Sequence, residues 1–126
     1  MLNENSSIIS VYGSHNGAIS VYKNGQFFVL EAERLIGYKN VGFAQYKVLS
    51  DQNNIKTFFQ YSLDYVCNYL NIDNDFDVCL FQNSQVVMDN KHICLAKSFV
   101  NAKSYDSCDH HFSHASGSFY QSHFDK

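Results

Sequence analysis

The fold is decided by residues 7–31, which read SIISVYGSHNGAISVYKNGQFFVLE. Two short apolar runs bounded by polar and glycine residues, Ser7–Tyr12 and Ala18–Tyr22, predict two strands, and Phe27–Glu31 predicts a third. Between the second and third runs stands Asn24-Gly25. This pair is a strong hairpin signal because both central residues of a type I′ turn need a positive φ. The segment therefore predicts a three-stranded antiparallel meander.

The apolar pattern changes to a helical period over Asn53–Leu70. One predicted face carries Ile55, Phe58, Phe59, Ser62, Val66 and Tyr69, with Leu63 and Leu70 beside it. Asn53 or Asn54 is the expected N-cap, and Asn71 is expected to close the helix in a left-handed conformation. This segment is the one long helix that the sequence predicts with clear boundaries.

The remaining segments are expected as follows: a loop or irregular turn over Ala32–Asn40, a strand over Phe76–Phe81, an ambiguous stretch over 82–104, a short strand over Tyr105–Asp109 and a helix over His111–Gln121. The order β-β-β-α-β-(undefined)-β-α is typical of the ribonuclease H-like lobe found in actin, sugar kinases and Hsp70 relatives. We therefore predict an α/β single domain over residues 1–126, with a mixed sheet and helices on its faces.

The composition indicates which classes of partner are not expected. The net charge is −3 and no cluster of Lys and Arg occurs, so nucleic acid is not an expected partner. There is no secretory signal and no apolar run long enough to cross a bilayer, so neither a membrane nor secretion is expected. The four cysteines form no CxxC pair and are expected to be buried, reduced thiols, which fits a cytoplasmic protein.

The side chains best suited to metal binding or catalysis are concentrated in the segment Asp-His-His-Phe-Ser-His, residues 109–114. Residues four apart on a helix have Cβ atoms about 5–6 Å apart, so His110 and His114 could bind one divalent metal. His111 points about a quarter-turn away and needs another role. The alternative is that both histidines are polar residues facing solvent. No third ligand of matching spacing is evident; it could come from residues beyond Lys126 or from another subunit.

Two other segments could contact a ligand. The loop Gly13–Gly17 has glycines that allow close backbone approach to an anion, and His15 and Asn16 would project donors. The alternative is a polar hairpin loop. Further on, Arg34 and Lys39 could reach a phosphate or carboxylate; the alternative is a solvated loop with weak ion pairs.

Together, three segments in this order resemble the N-terminal part of the O-carbamoyltransferases known from nodulation-factor and antibiotic tailoring. Residues 13–18 read GSHNGA, residues 31–34 read EAER with KN at 39–40, and residues 110–120 read HHFSHASGSFY. The family typically shows GxH[DN]x[AS], ExERxx[RN]xK[HN] and HHxSHAxSAFY. The resemblance covers nearly the whole chain but only the first lobe of the family's catalytic domain.

The resemblance implies that a carbamoyl group passes from carbamoyl phosphate, through a carbamoyl-adenylate made with ATP, to a hydroxyl of a sugar-like acceptor. It implies that a second lobe and an adenylate-forming domain, both absent from these residues, complete the enzyme; a partner chain is one way to supply them. The 126 residues alone are then expected to be inactive.

The resemblance also assigns residue roles. By position, His110 and His114 would bind a divalent metal, iron with zinc as the alternative, while Arg34, Lys39 and His111 would contact substrate. His15 and Asn16 would line the transfer site. The position of Asn16 is often an aspartate in the family, and an amide cannot accept a proton as a carboxylate does. Gly37-Tyr38 and Gly117 also depart from the family pattern.

Two alternative functions stay open. One is a relative of the transferase that puts a threonylcarbamoyl group on tRNA, whose motif usually reads His-x-Glu-Gly-His. Phe112-Ser113 and the absence of basic patches argue against it. The other is a non-catalytic metal- or nucleotide-binding module with the same fold.

Overall fold

The computed structural model describes residues 5–12, 17–37, 52–83 and 97–109. Its helices and strands are β1 (Ile8–Tyr12), β2 (Ala18–Lys23), β3 (Gln26–Glu31), α1 (Ala32–Ile36), α2 (Gln52–Leu70), β4 (Phe76–Asn83) and β5 (Ala102–Asp109). The fold is a mixed α/β arrangement, as predicted at that level. The helix predicted over His111–Gln121 lies outside the described residues.

The strands form one five-stranded sheet in the order β3-β2-β1-β4-β5. β1, β2 and β3 are the predicted antiparallel meander, and Asn24 and Gly25 both have positive φ, at 54° and 73°. β4 runs parallel to β1, and β5 runs parallel to β4. Four strands therefore share one direction, and β2 alone runs against them.

One face of the sheet packs against α2 and forms the core. Ile9, Val11, Ile19 and Val21 project from β1 and β2 to this face and are fully buried. From α2, the largest buried side chain is Phe59, and its ring lies 5.7 Å from that of Phe99. A packed interior of this kind tolerates few voids, which sets the position of α2 relative to the sheet.

The helical face predicted for α2 is confirmed for most of its described residues, including the polar one. Ser62 is fully buried, and its hydroxyl donates to the carbonyl of Phe58 at 2.8 Å, so its polar atom has a partner within the helix. Tyr69 was placed on this face wrongly, since it is 66% exposed. Near the end of α2 the helix overhangs β3, the last strand of the sheet, and Tyr69 lies over the ring of Phe28 instead of entering the core.

Three boundaries differ from the sequence expectation. Ala32–Ile36 is a helix, not a loop: Ala32 is buried, and Gly37, with φ 71°, ends the helix by donating its N–H to Glu33. α2 begins at Gln52, so Asn53 and Asn54 lie inside it and neither is its N-cap. β5 begins at Ala102, three residues earlier than expected. By contrast, Asn71 has the predicted left-handed φ of 54°.

The amino ends of the parallel strands are joined by one carboxylate. Asp77 on β4 accepts hydrogen bonds from the Ser7 N–H at 2.8 Å and from the Lys103 ammonium at 2.9 Å. The Asp77 N–H in turn donates to the Ser7 hydroxyl at 3.0 Å. Lys103 and these hydrogen bonds lower the pKa of Asp77 from 3.8 to about 2.

We expect Asp77 to make the free energy of unfolding depend on pH in the acidic range. A carboxyl whose pKa falls on folding stabilises the folded state above its ordinary pKa, and this contribution is lost as the pH falls from about 3.8 to about 2. Asp77→Asn should therefore lower the free energy of unfolding most above about pH 4, with the difference from wild type shrinking towards pH 2. Urea titrations across this range measure it.

The control is Asp106→Asn, which removes the same charge from an exposed position of β5. Its stability curve should stay parallel to that of the wild type. An Asp77→Asn curve that also stays parallel would contradict the role given to this carboxylate.

Candidate functional site

The carboxyl ends of four strands meet at one edge of the sheet. β1, β3, β4 and β5 share one direction, so Tyr12, Glu31, Asn83 and Asp109 all lie at this edge. The register fixes their levels: Tyr12 is opposite Ala18, which is opposite Glu31, and Asn83 is opposite Asp109. Neighbouring strands are about 4.8 Å apart, so the end of β1 lies about 10 Å from the ends of both β3 and β5.

Each motif segment adjoins this edge along the chain. The Gly-rich loop follows Tyr12, the Glu-Ala-Glu-Arg segment begins at Glu31, and the histidine segment follows Asp109. Segments that are almost 100 residues apart in sequence thus leave the sheet at neighbouring positions. Ligands bind in open α/β sheets outside the carboxyl ends of the strands, at the place where the strand order reverses, which here is between β1 and β4.

Two of the motif segments are joined by a hydrogen bond. The backbone N–H of Ala32, the first residue of α1, donates to the carbonyl of Gly17 at 2.8 Å. Gly17 is buried, and so is Ala32. The start of the helix that carries Arg34 is therefore held against the end of the loop that carries His15 and Asn16 in the sequence.

Arg34 is the one predicted site residue that the structure describes. Its Nε lies 3.3 Å from Glu31 Oε2, in an exposed pair one helical turn apart. Both residues also line a groove of about 490 Å³, whose walls are Phe28, Val29, Leu30, Tyr65 and Tyr69. Arg34 is free to reorient towards a ligand, since exposed ion pairs contribute only about 0–1 kcal/mol.

The other predicted site residues lie outside the described residues, and their roles stay predictions. They are His15, Asn16, Lys39, His110, His111 and His114. Within the described ranges, no group of three His, Cys, Asp or Glu side chains is placed to hold a metal ion. All six histidines of the chain fall outside those ranges.

The structure shows the oxidation state and burial of two cysteines. Cys67 and Cys79 are buried free thiols, as predicted. Burial raises the pKa of both, and that of Cys79 to about 12, so neither forms the thiolate needed for nucleophilic attack or metal binding near neutral pH.

The aromatic lining of the groove was missed at the level of sequence. Tyr65 and Tyr69 line the groove, and with Tyr61 they occur at intervals of four along α2, which places the three in one row on the helix surface. That spacing is the signal that could have revealed the row. The sequence does not show on which side of the helix this row lies, because tyrosine is compatible with both a buried and an exposed face.

Similarity to known proteins is weak. No protein-family model matches the chain, and no curated protein is significantly similar to it. Among solved structures, a protein from Bacteroides thetaiotaomicron described as having an actin-like ATPase fold and unknown function matches with a TM-score of 0.45 and 13% identity. The match covers 82% of this chain, which spans only 33% of the length of that protein.

Neither helix in the described part of the chain is both long and apolar enough to span a membrane.

We expect Arg34→Ala to leave stability almost unchanged. The substitution removes an exposed pair, so the free energy of unfolding should change by less than about 0.5 kcal/mol. Lys103 is the matched control because its side chain is also 77% exposed, yet it binds the Asp77 carboxylate that joins the strands. Lys103→Ala should destabilise the protein more than Arg34→Ala, as measured by urea unfolding at pH 7. Equal losses would contradict this distinction.

Proposed function

We propose that the described sheet belongs to the first lobe of a ribonuclease H-like, actin-like ATPase domain, and that the chain is the corresponding part of an O-carbamoyltransferase. One observation carries the proposal. The three segments that resemble this family adjoin the same edge of the sheet, although they are spread over the whole chain. A coincidental set of motifs has no reason to share one edge.

The strand order supports the same proposal. An antiparallel meander continued by two parallel strands is the arrangement that the resemblance implies, and its strand order reverses between β1 and β4. The Gly-rich loop follows the carboxyl end of β1, beside this reversal. Glycines and free backbone N–H groups at such a loop suit an anionic ligand, here the phosphate of carbamoyl phosphate or of a carbamoyl-adenylate.

In the proposed reaction, a hydroxyl oxygen of the acceptor forms a bond to the carbamoyl carbon of the adenylate. The bond from that carbon to the phosphate oxygen breaks, and AMP leaves. His15 takes the hydroxyl proton as general base, and Asn16 orients the substrate by donating from its amide. Arg34, Lys39 and His111 contact the negatively charged donor.

A divalent metal is part of the proposal. His110 and His114 would hold it through two neutral imidazoles, which suits iron or zinc. The bound metal would polarise the carbamoyl carbonyl. Two imidazoles leave the coordination incomplete, which fits a site completed by residues outside this chain or by substrate.

Metal content tests the ligand assignment. Protein loaded with Fe²⁺ or Zn²⁺ and then dialysed should retain metal by elemental analysis. His110→Ala and His114→Ala should each lose most of it, whereas His123→Ala should retain it as the matched control. Equal retention by the wild type and the first two variants would contradict the assignment, since each removes one of two protein ligands.

Turnover tests the reaction. The isolated chain with ATP, carbamoyl phosphate, Fe²⁺ and a sugar hydroxyl acceptor should yield no carbamoylated product, because the resemblance covers one lobe only. Adding a chain that supplies the second lobe and the adenylate-forming domain should give product. Product from the isolated chain would contradict the expected incompleteness. Nucleotide binding without product in the complemented assay would favour the non-catalytic module.

A further inference from the structure

We propose that the outer edge of β3, with which no described strand pairs, is a self-association surface, through which two copies of this chain pair their β3 strands antiparallel about a twofold axis. This inference does not depend on the carbamoyl-transfer proposal. It rests on the chemistry of the two edge strands, on the direction of the β3 backbone groups and on an aromatic cluster beside them.

The two edges of the sheet differ in chemistry. β5 carries charged Lys103 and Asp106 along with several serines, and charge of this kind is a common protection of an edge strand against pairing. Over Phe27–Leu30, β3 carries four apolar residues in succession and has neither proline nor a charge within that run. Among the described residues, no strand pairs with its outer edge.

The hairpin fixes which backbone groups of β3 point outwards. Lys23 and Gln26 close a two-residue turn, so they exchange hydrogen bonds, and every second residue of β3 from Gln26 onwards faces β2. The bond from Ala32 to Gly17 continues this alternation. The N–H and C=O groups of Phe27 and Val29 therefore point to the open edge.

Apolar side chains lie on both faces of the sheet beside this edge, and we call them together the β3 edge patch: Phe27 and Val29 on one face, and Phe28, Tyr65 and Tyr69 on the face that packs against α2. Phe27 is 70% exposed and Val29 47%, and Tyr65 and Tyr69 are 40% and 66% exposed. The rings contact one another: Phe28 lies 4.7 Å from Tyr69, and Tyr69 stacks on Tyr65 at 6.4 Å.

The aromatic side chains of the patch supply somewhat under half of the area that one side of a standard interface buries. At about 200 Å² for a fully exposed aromatic side chain, the exposed fractions of Phe27, Tyr65 and Tyr69 give about 350 Å². A standard interface buries about 800 Å² per partner, part of which is backbone and rim. Pairing of the strand backbones and burial of Val29 would supply much of the difference.

The partner at the β3 edge is a second copy of the chain, because this edge is complementary to itself. In an antiparallel pair about a twofold axis, Phe27 of one copy can lie opposite Val29 of the other, twice. Each of these pairs exchanges two backbone hydrogen bonds and covers two exposed apolar side chains. Phe28 then lies opposite its own copy at the axis, beside the two Tyr69 rings. The result is a continuous ten-stranded sheet with its β3 edges closed.

The test is the mass of the full chain in solution. Light scattering coupled to size-exclusion chromatography, over a concentration series, should give twice the chain mass of 14.5 kDa. Val29→Lys should give the monomer mass, with the dissociation constant raised about 100-fold or more, because it places an ammonium group opposite Phe27 of the other copy in both pairs. Val29 is about half exposed, so the lysine should not disturb folding.

The control is Ser107→Lys, which adds the same charge to the exposed surface of the other edge strand and should leave the dimer intact. Phe27→Lys, at the most exposed residue of the patch, should behave like Val29→Lys and serves if that variant fails to give a native circular dichroism spectrum. A wild-type chain that is monomeric at all concentrations would overturn the proposal, as would occupation of the edge by residues 38–51. A dimer that survives both β3 lysines, or masses above the dimer, would also overturn it.

Discussion

The parallel pairing of β1 with β4 is the constraint on which the rest of the structure depends. A meander alone is a small antiparallel sheet whose apolar face needs a partner element to bury it. Joining β4 to β1 requires the chain to cross from the end of β3 to the start of β4, and α2 lies on this crossover. The helix then covers the face that carries Ile9, Val11, Ile19 and Val21.

This pairing is held at its amino end by two residues that are 70 positions apart in sequence. The Ser7 N–H donates to the Asp77 carboxylate. The Asp77 N–H in turn donates to the hydroxyl and to the carbonyl oxygen of Ser7. Because side chains alternate along a strand, a slip of one residue would turn the buried side of β4, including Cys79 and Phe81, towards the other face. The same register brings the carboxyl ends of β1, β4 and β5 to one level, which is where the candidate site lies.

Local structure was predictable from the sequence because local chemistry determines it. Asn24-Gly25 adopts positive φ wherever it occurs between two strands, and the apolar period over residues 58–66 can only be buried as a helix face. The five residues of α1 are too few for a period to be seen, so this charged segment with a glycine predicts a loop and the structure has a helix. The prediction for Tyr69 is wrong because helical spacing does not reveal where the neighbouring sheet ends.

The candidate site was only partly predictable, for a physical reason. Residue types and order indicated which segments carry chemistry, but their meeting at one edge depends on strand directions that no local pattern encodes. The contact of Gly17 with Ala32 likewise follows from the β2–β3 register, not from either motif. His15, Asn16, Lys39, His110, His111 and His114 lie outside the described residues, so their roles remain those that the family resemblance implies.

The two proposed surfaces use different directions of the same sheet, and they meet at the groove that Arg34 lines. Strand pairing extends the sheet sideways from β3, whereas the candidate site lies beyond the carboxyl ends of the strands. A twofold axis through paired β3 strands reverses the strand direction in the second copy, so the two candidate sites would open at opposite ends of the continuous sheet. The end of β1 is two strand spacings, about 10 Å, from the pairing edge. Self-association would therefore cover the groove that Arg34 lines, whereas the carboxyl end of β1 lies outside the pairing edge.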